Sequence, residues 1–425
     1  QGEHHQHYLN RGTRTTTVSP FWSAFDVSNH LEKLTSSQHS GTACLDGLRV
    51  GSILWIMLGH VMAIQSSSGA GYSNPANFLP PTGLTTTFLG QLLFSSRLAV
   101  DSFLAISGFL VVHVLLQKFS PSIQQEQQQQ SFGRAVILRY LQNLPALIVT
   151  RAVRILPLYA MCLGFYTQIA PHLGSGPFWH QWIALLKPCH DAIWTNFLFV
   201  NNFVPFDTPT TDTCFYHSWY LAVDMQLFVF APLLVFWFQY RARHGLLVTV
   251  ALFGLSVIIT SYLAYYRQWS VNTFDGAAVG RYDMEAYAKP HVRAQAYLAG
   301  MFAAMSLQTS GRRDDDQNAR YGWKHRCVMA VALLVMGIVT FGTVTGAYAR
   351  RPCTYKEDPF RNECGSLWSS TTTFLYTAFS RTLWSICIAI LMYLCLGTPR
   401  AYNNPVALIL SLKCWAPLSH LSFGA

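Results

Sequence analysis

Nine long apolar stretches divide this chain, and they constrain its fold more than any other feature of the sequence. Most are long enough to cross a bilayer as a helix, and none shows the polar and apolar alternation of a membrane barrel strand. The predicted spans are 48–64, 88–116, 155–169, 216–238, 246–265, 294–307, 328–348, 374–396 and 405–423. Charged residues make up only 11% of the chain, against about 25% in soluble domains. The sequence therefore predicts an all-α, polytopic transmembrane helical bundle of about nine spans.

The distribution of basic residues indicates the orientation of the bundle. If residues 1–47 form a cytoplasmic segment, the inner connections carry more Lys and Arg than the outer ones, as the positive-inside rule requires. The net charge is +10. We attribute it to basic residues that set the membrane orientation and attract anionic lipid headgroups. Membrane lipids are therefore expected partners, and nucleic acid is not. Residues 48–425 form the predicted transmembrane domain, with a disordered Gln-rich insert at 120–131. The chain ends within an apolar segment, so we expect this domain to be truncated there and the full protein to contain about ten or more spans.

Four cysteines lie in two predicted outer connections. Cys189 and Cys214 share one connection, and Cys353 and Cys364 share the other. We predict a disulfide within each, which would place the outer face in an oxidising compartment and the protein in the plasma membrane or a secretory-pathway membrane. The alternative is that these cysteines are free, buried thiols.

Arg49 and His60 lie at the two ends of one apolar stretch, LRVGSILWIMLGHVMAI. Eleven positions are almost three helical turns, so both side chains share a helix face and lie roughly 16 Å apart along the axis. Polar side chains within the membrane are costly and usually serve a substrate, a pathway or chemistry. This pair is therefore a candidate site.

Arg97 and Asp101 are four residues apart in the second stretch, and two interpretations remain open. They can neutralise each other as an intrahelical pair. Alternatively, Asp101 orients or charges His60, as carboxylates do for catalytic imidazoles. Ser107 and Gly108 follow; their small size allows close helix contact, and the hydroxyl could also contact a reaction intermediate.

Arg151 and Arg154 lie three apart at the predicted inner end of span 155–169. They are either ordinary positive-inside flanks or a cationic clamp, because two guanidiniums on one face can each bind phosphate oxygens. Arg49 at the same predicted depth favours the clamp. Together the three arginines indicate a site for a phosphorylated donor that enters from the cytoplasm.

Further candidates lie near two other spans. The segment SWYLAVDMQLF contains Asp224, which is either an acceptor-side acid or gate, or a buried carboxylate that holds a neighbouring helix. Tyr287 and Lys289 come just before the span at 294–307 and are candidate substrate or gate residues. The sequence contains no metal-binding or nucleotide-binding motif, so we expect neither a metal nor a permanently bound cofactor.

Several segments in this order resemble the acyltransferase-3 family, most closely its animal branch called nose resistant to fluoxetine. They are CLDGLRVGSILWIMLGH, LAVDSFLAISGFLVV, RAVRILPLY, NFLFVNNF, SWYLAVDMQLF, YAKPHVRAQAYLAGM and SRTLW. The resemblance implies a membrane enzyme that moves acyl groups, commonly from acyl-CoA, to sugars or other hydroxyl acceptors. Arg97 and Asp224 depart from the family pattern as we expect it, which has a neutral residue and often Glu at those positions.

The same resemblance implies residue roles. The family's Arg and His match Arg49 and His60, its RxxR motif matches Arg151 and Arg154, and its acidic residue before SGF matches Asp101. We therefore expect an O-acyltransferase in which the arginines hold acyl-CoA phosphates, His60 is the general base on an unknown hydroxyl acceptor, and Asp101 orients the imidazole. The alternative is a transporter or binding protein for lipids or small molecules that has the same scaffold without catalysis.

Overall fold

A computed structural model describes most of the chain. The described residues are 42–67, 84, 87–126, 132–176, 179–204, 213–269, 286–310, 322–348, 368–397 and 404–421. These ranges are predominantly helical and contain no strand, which confirms the all-α prediction. Residues 1–41, residues 127–131 of the Gln-rich insert, and both Cys353 and Cys364 lie outside them.

Thirteen α-helices occur in the described ranges. In chain order they are α1 Cys44–Ser67, α2 Phe88–Phe94, α3 Arg97–Glu126, α4 Phe132–Gly164, α5 Trp179–Ala184, α6 Lys187–Phe197, α7 Trp219–Tyr240, α8 Ala242–Arg267, α9 Pro290–Ser310, α10 Gly322–Tyr348, α11 Ser370–Gly397, α12 Pro405–Leu410 and α13 Trp415–Leu421. A π turn and a 3₁₀ turn extend α4 to His172, and a 3₁₀ turn, Tyr216–Ser218, precedes α7. The start of the predicted insert, 120–126, belongs to α3.

Seven helices of the described chain are long and apolar enough to cross a membrane: α1, α3, α4, α7, α8, α10 and α11. Helix α9 is not among them, although it has 21 residues. It is the central helix, since it packs against α3, α7, α8 and α11. Its buried residues include Arg293 and Gln295, so α9 combines a central position with polar side chains that lower its hydropathy.

The last predicted span, 405–423, is wrong as a single helix. The structure has two short helices there, α12 with 6 residues and α13 with 7, and both pack against α1. Pro417 lies in the first turn of α13, where its missing N–H is tolerated, whereas in a continuous helix its ring would meet the carbonyl of Lys413. The apolar stretch 405–423 therefore forms two short helices and not one long helix.

Two glycines let α3 and α9 approach closely. A Cβ added to Gly108 would lie 2.1 Å from the carbonyl oxygen of Tyr297, and one added to Gly300 would lie 1.8 Å from that of Ala105. A side chain at either position would push the backbones apart. This contact fixes α9 against α3, and the same two helices provide several charged residues of the site.

Candidate functional site

Helix α1 carries both Arg49 and His60, as predicted. The Arg49 guanidinium lies 3.7 Å from the Asp46 carboxylate, and its side chain is only 12% exposed. Tyr220 of α7 and Arg154 of α4 are its electrostatic neighbours on other helices. Arg49 therefore faces the bundle between α4 and α7, and we call this region the Arg49 end.

His60 lies at the other end of the same helix, in a different environment. Its ring centroid is 6.1 Å from that of His217, in an edge-to-face arrangement, and Arg97 is an electrostatic neighbour. We call this region the His60 end. Sequence reasoning missed His217; the only signal for it was a histidine directly before the SWYLA segment.

Asp101 does not pair with His60 or with Arg97. Its Oδ1 accepts a hydrogen bond from Arg293 of α9 at 2.6 Å, and its Oδ2 lies 3.9 Å from a nitrogen of Arg381 on α11. Asp101 and Arg293 are both almost completely buried. The predicted contact with His60 was therefore wrong, because Asp101 faces α9 and α11, which follow much later in the sequence.

Tyr287 is surrounded by three arginines. The guanidinium carbons of Arg97, Arg293 and Arg381 lie 4.9, 4.7 and 5.6 Å from the centre of its ring. The Trp219 ring packs against it at 4.8 Å. We call Asp101, Arg97, Tyr287, Arg293 and Arg381 the arginine–tyrosine cluster. It adjoins the His60 end through Arg97.

Lys289, the other candidate from this segment, has a local structural contact. Its Nζ donates a hydrogen bond of 2.5 Å to the backbone carbonyl of Asn202 and lies 4.8 Å from the centre of the Phe203 ring. Asn202 also donates to the carbonyl of Ala288. Lys289 therefore ties the start of α9 to the segment after α6.

A second buried group joins α3, α4 and α7. Ser107 donates a hydrogen bond of 2.5 Å to Asp224, and Arg151 forms an ion pair with the other oxygen of that carboxylate. Arg151 also donates to the Ser107 hydroxyl at 3.2 Å. Asp224 therefore holds two neighbouring helices, as one of the two sequence interpretations of this carboxylate predicted. The same carboxylate also accepts the hydrogen bond of the Ser107 hydroxyl.

The ion pair of Arg151 with Asp224 removes Arg151 from the predicted phosphate clamp. Arg151 and Arg154 lie within the long α4 helix and not at either of its ends. Arg151 turns into the bundle towards Asp224, whereas Arg154 is exposed and lies near Arg49. Arg49 and Arg154 therefore lie near each other, whereas Arg151 is paired with the carboxylate of Asp224 inside the bundle.

Tyr220 connects these groups along the bundle. It has electrostatic interactions with Arg49 and also with Arg151, Asp224 and Tyr297. From there α3 leads from Ser107 to Asp101, a rise of roughly 9 Å, and so to the arginine–tyrosine cluster. We call this series of charged and hydroxyl groups the polar path; it runs from the Arg49 end to the His60 end.

One predicted disulfide is confirmed and fixes the His60 end. Cys189 of α6 is bonded to Cys214, with Cα atoms 4.4 Å apart. Cys214 lies three residues before His217, so the bond restrains the segment that brings His217 to His60. The second predicted bond, Cys353–Cys364, lies outside the described residues. Among those residues, no group of three or more His, Cys, Asp or Glu side chains could hold a metal ion.

Comparison with known proteins identifies the family. The sequence model of the acyltransferase-3 family, described as an acyltransferase domain, matches residues 42–424. The chain belongs to the acyltransferase-3 family. This confirms the resemblance seen in the sequence motifs, and with the apolar helices it indicates a multi-pass membrane protein.

Two curated relatives of this acyltransferase-3 protein come from Caenorhabditis elegans. It is 26% identical over 391 residues to "Nose resistant to fluoxetine protein 6", a match that covers 90% of this chain and 44% of that relative. It is 22% identical over 310 residues to "Regulator of hypoxia-inducible factor 1", covering 67% of this chain and 55% of that relative. The chain thus spans about half the length of these relatives. No solved structure matches it.

Proposed function

We propose that this acyltransferase-3 protein is an O-acyltransferase that moves an acyl group from acyl-CoA to a hydroxyl acceptor at or across the membrane. The observation that carries the proposal is the position of Arg49 and His60 at opposite ends of α1, with both side chains facing other helices of the bundle. A donor bound by Arg49 can extend along the bundle towards His60. The acceptor is a lipid, a sugar or a small molecule.

Arg49 and Arg154 would bind the phosphates of coenzyme A. Guanidinium groups suit this task because their planar forks can form two hydrogen bonds to phosphate oxygens. Arg151 is held by Asp224, so its part is to position α4, and with it Arg154.

His60 would act as the general base. The imidazole accepts the proton of the acceptor hydroxyl, whose oxygen attacks the thioester carbonyl carbon. The carbon–sulfur bond then breaks, and the sulfur of coenzyme A takes the proton from the imidazolium. A general base of this kind typically contributes about 10²–10⁴-fold. Asp101 acts through the arginine–tyrosine cluster as a positioning residue.

The proposed orientation has the Arg49 end and the N-terminal segment in the cytoplasm, where acyl-CoA is available. The His60 end would face an oxidising compartment, and the Cys189–Cys214 bond close to His217 supports this. We propose the plasma membrane or a secretory-pathway membrane as the location, with surrounding lipids as partners.

A transporter or binding protein for lipids or small molecules is the second candidate. The observation that favours it is that Asp101, Asp224, Arg151 and Arg293 are all engaged in ion pairs between helices. Charged residues within a membrane bundle pair with one another and often mark a transport pathway. A carrier would use such pairs without breaking a covalent bond in its substrate. In that case Arg49 would bind an anionic headgroup.

The test uses the full-length protein, purified in detergent, with radiolabelled acetyl-CoA and a longer-chain acyl-CoA. We expect the native protein to remove the acyl group and His60→Ala and His60→Gln to lose this activity while remaining folded. His113→Ala is the matched control, since His113 is a half-buried histidine on α3 outside the site. Substantial transfer by folded His60→Ala protein would overturn the mechanism.

Coenzyme A binding separates the two candidates. A ligand at 100 times its dissociation constant stabilises a protein by about 2.7 kcal/mol, so coenzyme A should raise the melting temperature of both the native protein and His60→Ala. Absence of both turnover and stabilisation would favour the carrier.

A further inference from the structure

We infer that His217 is a further catalytic residue, whose imidazole N–H donates a hydrogen bond to the carbonyl oxygen of the thioester while His60 accepts the proton of the hydroxyl. This inference rests on the proposed function, because it names the group that stabilises the negative charge formed in that reaction. It assigns a role to the second histidine of the His60 end.

The proposed reaction needs a hydrogen-bond donor that His60 does not supply. The backbone carbonyl of Ile56, one turn earlier on α1, accepts a hydrogen bond from the His60 ring. That contact uses one ring nitrogen as a donor and leaves the other as the acceptor that a general base requires. Attack on the thioester carbon places negative charge on the carbonyl oxygen, and this oxygen needs a donor of its own.

His217 lies beside the proposed base. The two ring centroids are 6.1 Å apart in an edge-to-face arrangement, so both rings can contact one small group such as a thioester carbonyl with its attacking oxygen. A neutral imidazole has one N–H to donate. Arg97 is another neighbour of His60, but its guanidinium lies over the Tyr287 ring, 4.9 Å from the ring centre.

The other contacts of His217 are aromatic. Its ring centroid lies 4.0 Å from that of Tyr216 and 5.0 Å from that of Phe215. The side chain is half-buried, and within the described ranges neither ring nitrogen has a hydrogen-bond partner. The packing therefore orients the imidazole and leaves its N–H available to a substrate.

The backbone that leads to His217 is strained. Phe215 has a φ of 49°, in the left-handed region, which is unfavourable for a residue with a Cβ atom. The 3₁₀ turn Tyr216–Ser218, which contains the histidine, begins directly after it. Backbone strain of this kind persists where the surrounding structure enforces it, and it is common at active sites.

Three contacts enforce this conformation. The disulfide joins Cys214 to Cys189 of α6, and the side-chain amide of Asn196 donates to the carbonyl oxygen of Cys214 at 3.1 Å. The Ser218 hydroxyl donates to the carbonyl oxygen of Phe215 at 2.7 Å. The segment is therefore fixed on both sides of the histidine, as preorganised stabilisation of a developing charge requires.

The role of His217 completes the proposed step. The proton of the acceptor hydroxyl moves to His60, and the acceptor oxygen forms a bond to the thioester carbon. The carbonyl oxygen becomes an oxyanion that accepts the N–H of His217. When the carbon–sulfur bond breaks, the C=O bond re-forms and the sulfur takes the proton from His60. His217 keeps its own proton throughout.

The first test is kinetic and uses the full-length protein in detergent. His217→Phe keeps an aromatic ring but lacks the N–H, so kcat should fall by about 10²–10³-fold with little change in KM for acyl-CoA. His217→Asn and His217→Gln place an amide N–H near one or the other ring-nitrogen position, and at least one should recover part of kcat. His190→Phe, at an exposed histidine of α6, is the matched control and should keep the native kcat.

The second test measures binding without turnover. The probes are acetonyl-CoA, a ketone that cannot transfer its acyl group, and propyl-CoA, which has the same chain without the carbonyl oxygen. The native protein should bind acetonyl-CoA about fivefold more tightly, as expected for one hydrogen bond. His217→Phe should bind both probes equally, whereas His60→Ala should keep the preference. His217→Met, which also lacks an N–H, replaces His217→Phe if that variant does not fold.

The inference is overturned if folded His217→Phe keeps the native kcat or the native preference, if the native protein does not distinguish the two probes, or if the amide variants lose as much kcat as His217→Phe. Native acyl transfer by His217→Phe would support the proposed function and overturn this inference. A preference for acetonyl-CoA that depends on His217, without any acyl transfer, would support the carbonyl contact and contradict the proposed function.

Discussion

Arg151 of α4 and Asp224 of α7 form an ion pair inside the bundle, and Ser107 of α3 donates a hydrogen bond to the same carboxylate. Three helices therefore meet at one acidic side chain. The side chains of Arg151 and Asp224 are only 18% and 9% exposed, so water solvates neither charge well. The pair is a structural element of the bundle as well as part of the polar path.

Removal of Asp224 alone should be costly. Asp224→Ala would leave Arg151 charged and unpartnered, and breaking a buried pair costs about 3–5 kcal/mol. The double variant Arg151→Met with Asp224→Leu removes both charges and should recover most of that loss. Thermal unfolding in detergent, followed by tryptophan fluorescence, measures both effects. Equal melting temperatures for the single and double variants would contradict the structural role of the pair.

The close approach of α3 and α9 predicts a difference between two glycines. Gly300→Ala would bring a Cβ against the backbone of Ala105, and overpacking of this kind costs about 1–3 kcal/mol. Gly337→Ala on α10 is the matched control, because nothing lies within 4 Å of the added atom. Alanine favours a helix over glycine by up to about 1 kcal/mol, so Gly337→Ala should be neutral or stabilising. A native melting temperature for Gly300→Ala would show that the helices separate easily.

Loss of the disulfide should destabilise the His60 end. Cys189→Ser, Cys214→Ser and the double variant should each lower stability by about 3 kcal/mol, as expected for a bond that closes a loop of 25 residues. Cys162→Ser, a free thiol on α4, is the control and should have little effect. Thermal unfolding with and without a reductant gives the measurement. If reduction leaves the native melting temperature unchanged, the bond is absent from the purified protein.

Arg49 should affect donor binding more than the chemical step. A charge-assisted hydrogen bond is worth about 1.5–3 kcal/mol, so Arg49→Gln should raise KM for acyl-CoA by about tenfold to a hundredfold with little change in kcat. Arg134→Gln, an exposed arginine near the start of α4, should keep the native KM. A fall in kcat at unchanged KM would instead assign Arg49 to the transition state.

Arg49 and His60, the two candidate residues of α1, were predictable because their relation depends only on positions within one helix. Arg49 and His60 lie on one helix, where a separation of eleven positions sets their shared face by helical geometry alone. The Cys189–Cys214 bond was predictable because both cysteines lie in one connection. His217 lies at the start of the predicted span 216–238 and was missed because only the fold brings it to His60.

The sequence by itself determined the apolar helices, the charged residues within them, one disulfide and the family. The tertiary structure decided which charges are paired. Asp101 is four residues from Arg97, yet its hydrogen-bond partner is Arg293, 192 positions away, and Arg151 meets Asp224 across 73 positions. Spacing along one helix identifies neighbours three or four residues apart, whereas partners on other helices depend on how the helices pack. The buried position of polar α9, close to α3 at Gly108 and Gly300, is therefore a property of the assembled bundle.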